Sequence, residues 1–367
     1  MRDPRVDNLA RILVRYSTEV KEGETCVIEG PTAGEPLIAA VYEEVLRAGG
    51  HPILAVSLQG QLPVFFEHAS DAQLEWISPL AEWAAEEADC RIAIGADTNT
   101  RELSGVDPAR QMKRRAASRR LMEVVMRRSA EGGHRWVYTL YPTEAFAADA
   151  EMSLREFEDF YYAACLADDS DSIEAWARAS KECDRLAEWI QGHEEVRVTA
   201  PGTDIRLGIA GRKFIAADGK RNMPDGEFFT APIEDSVDGE VSFHLPAMIG
   251  GREVAGAKLR FESGKVVDAS AERGEEFLIS LLDTDDGARR LGELGIGTNY
   301  AIDRGTRDVL LDEKIGGTVH MAVGASYPEC GGSNESAVHT DLVCDLRLGG
   351  RIEVDGEPFQ EDGRFLV

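Results

Sequence analysis

Lysine is scarce in this chain. Only 8 of its 40 basic residues are Lys, and the other 32 are Arg. Against them stand 67 acidic residues, for a formal charge of −27. A field of that sign repels nucleic acid and anionic membranes, so neither is an expected partner. The acidic residues are scattered and form no tail, a composition that fits a protein kept hydrated at high salt, as in halophiles. No apolar run approaches the ~18 residues of a membrane span. The first residues, Met1-Arg2-Asp3-Pro4-Arg5-Val6-Asp7, lack an apolar signal region. A soluble, cytoplasmic protein is the expectation. Six cysteines include no Cys-x-x-Cys pair and match no zinc knuckle. They read as buried thiols in a reducing compartment. No helix opens on Gly-x-Gly-x-x-Gly, and the turn Gly30-Pro31-Thr32-Ala33-Gly34 has the wrong spacing for a dinucleotide.

The length of 367 residues and a hydrophobic content of 43% suit two domains with sizeable cores. The first part alternates strand and helix. Thr25–Glu29, Pro52–Ser57, Cys90–Ala96 and Trp136–Leu140 read as apolar strands. Between them, helical spacing predicts helices over 35–48, 72–88 and 107–131. This alternation predicts a parallel sheet covered by helices. Residues 151–192 read as bridging helices. Beyond 194, short alternating runs and hairpin signals such as Ser263-Gly264 predict a mainly antiparallel β part with one helix, about 273–294. The domains expected are therefore 1–190 and 191–367. One helix is locally basic, with Lys113, Arg114, Arg115, Arg119, Arg120, Arg127 and Arg128. Such a run is expected to be a solvated face paired with nearby carboxylates.

Residues 318–345 hold two of only seven histidines, in Thr318-Val319-His320 and Val338-His339-Thr340-Asp341. Side chains alternate along a strand, so His339 and Asp341 point the same way. A His-x-Asp pair with a nearby His can cradle Zn, Co, Mn or Fe. The alternative is two core histidines satisfied by hydrogen bonds. The same parity points Cys344 away. Two carboxylates stand in glycine-rich settings: Glu227 in Asn222–Pro232, and Glu293 where the helix is expected to end, in Leu291–Asn299. Taken singly, each reads as a surface glutamate.

Taken together and in order, these segments resemble the metal-dependent aminopeptidase T family, the M29-type peptidases. The likeness covers most of the chain and is strongest from Gly202 to Arg347. It is carried by Asn222–Pro232, Glu293–Asn299, Asp312–His320, Ser326-Tyr327-Pro328 and His339-Thr340-Asp341. The resemblance implies a Rossmann-like parallel α/β part, then an antiparallel β-rich catalytic domain. It implies a homodimer and peptide substrates with a free N-terminus. It also implies two divalent metal ions held by Glu227, Glu293, His320, His339 and Asp341, with Tyr327 as a catalytic tyrosine. Five ligands serving two ions require a bridging carboxylate. Glu227 or Glu293 is the candidate for that bridge and for relaying a proton to the leaving amine. Zn, Co and Mn all suit this donor set.

Two other readings are carried beside it. His320, His339 and Asp341 are also the content of a two-His-one-carboxylate site for a mononuclear Fe(II) ring-cleaving dioxygenase. That chemistry leaves Glu227 and Glu293 without a role. The stretch between Tyr327 and His339 is shorter than in bacterial members, and Thr340 replaces a usual aromatic. An inactive relative serving as a binding or structural module is the third reading.

Overall fold

A computed structural model describes residues 3–367. The chain separates into two compact units. The first runs to Trp176 and takes back Gly219–Met223, and the second holds Ala177–Asp218 and Pro224–Val367.

The first unit is the expected parallel α/β part. Its five-stranded sheet has the order His51–Ser57, Thr25–Pro31, Cys90–Gly95, Arg135–Leu140, Asn222–Met223, every pairing parallel. Val27, Ile28, Ile92, Ile94 and Val137 are buried in it, as the apolar runs required. The short last strand is secured by the buried Tyr161, whose hydroxyl donates to the Met223 carbonyl at 3.0 Å and accepts from the Leu140 amide at 2.8 Å. The helix expected over 72–88 is two helices, Asp71–Glu75 and Pro79–Glu87. Trp76 turns extended ahead of Ser78-Pro79, a cap followed by a proline that cannot donate backward into a preceding helix. The basic helix spans Pro108–Ala130, capped by Asp107. Much of its charge is met locally. Lys113 pairs with Asp71 and Glu75, Arg120 with Glu86, and Arg110, Arg114 and Arg128 donate to backbone carbonyls. Among the described residues no helix is long and apolar enough to cross a membrane, and all six cysteines are buried.

The second unit is antiparallel. An eight-stranded sheet runs Lys265–Ser270, Lys258–Glu262, Asp238–Ser242, Thr203–Gly208, Glu195–Ala200, Arg351–Val354, Glu357–Glu361, Arg364–Phe365. Its Ser263-Gly264 hairpin has both residues at positive φ, as a tight turn requires. A five-stranded sheet has the order His339–Asp345, Thr318–Gly324, Leu291–Gly297, Glu227–Thr230, Ile215–Ala217. Alternate residues of this second sheet, among them Phe228, Leu294, Ile296, Val319, Met321, Leu342 and Cys344, enter a core shared with Phe243, Phe261 and Phe359.

One expectation is corrected here. The helix placed at 273–294 stops at Leu282, and Glu293 lies inside the strand Leu291–Gly297. That strand is buried along its whole length. Glycines at 292, 295 and 297, poor in β propensity, are needed because neighbouring groups close on the backbone there. A Cβ on Gly292 or Gly297 would stand 2.3 Å from the Ala325 oxygen or 2.1 Å from the Ile315 oxygen.

Candidate metal centre

Strand parity builds the site. Because Phe228, Leu294, Met321 and Leu342 face the core, their neighbours Glu227, Glu293, His320 and Asp341 share the opposite face of the sheet. Register then aligns them. Glu293, Ala322 and Asp341 form one row across three strands. Gly295, His320 and Val343 form the next, and Gly324 stands beside His339. Small residues thus alternate with the long polar ones, leaving room for the latter to converge. Gly295 is the clearest case: a Cβ there would lie 2.0 Å from Cε1 and 2.1 Å from Nε2 of His320. Gly295→Ala is therefore expected to push the imidazole aside. Overpacking of this kind costs about 1–3 kcal/mol, to be read from the urea unfolding midpoint.

Both imidazoles are oriented from behind. Nδ1 of His320 donates to the Glu313 carbonyl at 3.1 Å, and Nδ1 of His339 to the Ala325 carbonyl at 2.9 Å. Each Nε2 is left facing the carboxylates, the arrangement that fixes a ligand tautomer. His320 Nε2 lies 3.2 Å from Glu227 Oε2 and 3.5 Å from Glu293 Oε1. His339 Nε2 lies 3.2 Å from Glu293 Oε2 and 3.7 Å from Asp341 Oδ2. Glu293 thus stands between the two histidines. The ligand atoms fall into two groups, Glu227, Glu313 and His320, and Glu293, His339 and Asp341, each within 4.8 Å of one another.

Two further residues complete the cluster. Glu313 joins the first group. Lys314, fully buried, donates to Glu227 at 2.6 Å and to Glu313, and lies 3.8 Å from Asp225. Neither was assigned a role from the sequence. The run Asp312–His320 carried the signal, but a Glu-Lys pair in a turn reads as surface until its burial is known.

Electrostatics decide what the cluster lacks. Burial and the nearby Glu313 and Glu293 raise the Glu227 carboxyl, against the pull of Lys314 and His320. Burial likewise raises Asp341, helped by Glu313 and Glu293. Burial alone would depress Lys314, yet Glu227, Glu313 and Asp225 hold it well above the ordinary lysine range. Burial would depress His320 too, but Glu227 and Glu293 lift it to about 10. Five carboxylates (Asp225, Glu227, Glu293, Glu313, Asp341) gather around one lysine and two histidines. Asp341 Oδ1 is buried without a hydrogen-bond partner, and Glu227 Oε2, beside His320 Nε2 at 3.2 Å, makes no hydrogen bond of good geometry. The donor chemistry, the gathered carboxylates and these under-used oxygens fit hard or borderline divalent cations.

Tyr327 flanks the cluster, its ring 5.2 Å from that of His339 and 5.3 Å from that of Phe229. It is 38% exposed, while desolvation and the Glu293, Asp341 and Glu313 charges push its hydroxyl above the ordinary tyrosine range. It is protonated at neutral pH. The short segment after it is pinned by Asn334, whose side chain donates to the Gly287 and Gly324 carbonyls.

Residues 2–365 match the model of a family described as thermophilic metalloprotease (M29). The chain belongs to the M29 family. M29 relatives include aminopeptidase T of Thermus thermophilus, 26% identical over 98% of this chain and 95% of its own length. Aminopeptidase 2 of Geobacillus stearothermophilus is 28% identical over 99% and 98%. The solved structure of wild-type AmpT from T. thermophilus superposes with a TM-score of 0.86 at 25% identity, covering 99% of both chains. A 2,5-dihydroxypyridine dioxygenase from Pseudomonas putida has the same fold, with a TM-score of 0.60 at 13% identity and coverage of 99% and 97%. That likeness extends to the fold alone.

Proposed function

We propose that this M29 protein is a metallo-aminopeptidase that removes the first residue of peptides with a free N-terminus, using two divalent ions. The observation that carries the reading is the paired set of ligand atoms, one group around His320 and one around His339, with Glu293 between them. A single-iron site would leave Glu227 and Glu313, both turned into the cluster, without a purpose. The names of the M29 relatives support the choice of substrate. Glu227, Glu313 and His320 would hold one ion, and Glu293, His339 and Asp341 the other, with Glu293, between the two histidines, a candidate to serve both. Zn, Co and Mn suit these donors.

Ions held there supply a water acidified towards neutrality and polarise the scissile carbonyl. The protein supplies the rest. The Tyr327 hydroxyl, kept protonated, can donate to the oxyanion that develops at that carbonyl. Lys314 holds Glu227 and Glu313 in place from the buried turn ahead of Thr318–Gly324. The carboxylate face of the cluster attracts the substrate's ammonium group and disfavours a blocked N-terminus. Glu227 or Glu293 is the candidate to carry a proton to the leaving amine. The reading extends to a homodimer, as the resemblance implies, with light scattering as its check.

Elemental analysis of the loaded protein tests the reading directly: two ions per chain and release of leucine from leucyl peptides are expected. One iron per chain with dioxygen uptake would overturn it. Tyr327→Phe should keep both ions and lower kcat about 10²–10³-fold, the usual effect of losing one oxyanion donor. An unchanged kcat removes Tyr327 from the chemistry.

A further inference from the structure

A cavity of about 240 Å³ opens directly from the cluster, with His339, Asp341 and Glu313 in its lining. Leu245, Met248, Ile249, Val309 and Val343 make much of the rest apolar, with Asp312 and Thr340 among them. Met248 and Ile249 lie on a small hairpin, Ala247–Ile249 with Arg252–Val254, whose turn is Gly250-Gly251. The volume is below the range of about 300–1,000 Å³ usual for drug-sized ligands. It suits one residue beyond the scissile bond better than a long peptide.

Arg307 also lines this cavity. Among the described residues in that lining, it alone carries a permanent positive charge. Its placement is built. Arg307 has φ +64, a conformation uncommon for a side chain of its size and retained when surrounding structure enforces it. The enforcement comes from Asp312, which is buried. Asp312 accepts from the Thr306 amide at 2.6 Å, the Thr306 hydroxyl at 2.8 Å and the Arg307 amide at 2.9 Å. From the hairpin, Glu253 approaches the guanidinium to 3.5 Å. Asp312 precedes Glu313 in the chain, so one turn both braces Arg307 and presents a ligand to the cluster.

The cavity therefore has a carboxylate-rich end, apolar walls and a guanidinium. A free carboxylate is the group a guanidinium reads best. In a substrate of an aminopeptidase, that group lies on the leaving side of the scissile bond. We infer that this cavity receives the residue released by cleavage and that Arg307 binds its free carboxylate. Dipeptides with an apolar second residue are then the favoured substrates. This inference rests on the aminopeptidase reading above and goes beyond it in naming the substrate class and the residue that selects it.

The test compares Leu-Leu with its C-terminal amide, Leu-Leu-NH2, on the metal-loaded full chain. Wild type should favour the free acid in kcat/KM by about 10- to 100-fold, the usual worth of a hydrogen bond to a charged group. Arg307→Gln should bring the ratio to about 1, while Arg307→Lys keeps part of the preference. Cleavage of leucine p-nitroanilide, which has no carboxylate, should change less than about 3-fold in either variant. Calorimetric binding of the reduced-amide isostere of Leu-Leu should weaken about 10-fold or more in Arg307→Gln. Equal turnover of acid and amide by wild type overturns this inference and leaves the peptidase reading standing. No turnover of any of the three compounds removes both.

Discussion

Replacing Lys314 with methionine should destabilise the metal-free protein by about 3–5 kcal/mol, the cost of breaking a buried ion pair by removing one partner. The lysine is fully buried and is the cation shared by Glu227, Glu313 and Asp225. Methionine keeps an unbranched chain one atom shorter and removes the ammonium with its charge and hydrogen bonds, so the loss reports polar interactions more than packing. The carboxylates left behind would have to take up protons or repel one another. Urea unfolding with chelator present is the measurement. Repeating it with excess Zn²⁺ or Mn²⁺ should recover part of the loss, because a bound cation stabilises the state that binds it. A loss below about 1 kcal/mol would mean that the lysine is not what balances these acids, since surface pairs are worth about that much.

Glu293→Gln should be the most damaging change to activity. Glu293 reaches both histidines, 3.5 Å to one and 3.2 Å to the other, and is 4% exposed. Burial would raise its carboxyl, but His320 and His339 overcome this and hold it below the ordinary glutamate range. It is thus the anionic centre of the cluster. The amide keeps shape and size and loses the charge, so the fold should survive. Several kcal/mol of charge stabilisation corresponds to a fall of about 10³-fold or more in kcat/KM. Bound metal should fall from two ions to at most one per chain, counted by elemental analysis. Full metal content with near-normal turnover would displace Glu293 from the centre of the proposal.

His339 and Asp341 were visible as a pair because strand parity is a local rule: alternate residues share a face whatever the strand packs against. The parallel first part was visible for a similar reason, since apolar runs alternated with helical spacing. Glu293 was harder. Its setting of Gly292, Gly295 and Gly297 reads as the frayed end of a helix, because glycines ordinarily weaken strands. Only the close approach of His320 and of the Ala325 and Ile315 carbonyls gives those glycines a reason to be there. The break at Ser78-Pro79 was legible in principle, since a cap followed by proline marks a helix start.

The sequence by itself determined the periodicities, hence the parallel and antiparallel halves, and it carried the ordered motifs that mark the family. What it left open was convergence. Whether Glu227, Glu293, His320, His339 and Asp341 share one face of one sheet depends on strand order and register, which are set by pairings between residues far apart in the chain. The turning of Glu313 into the cluster, the burial of Lys314 and the bracing of Arg307 by Asp312 are of the same kind. A charged residue in a turn looks solvated in one dimension, and only packing removes the water and makes its partners matter.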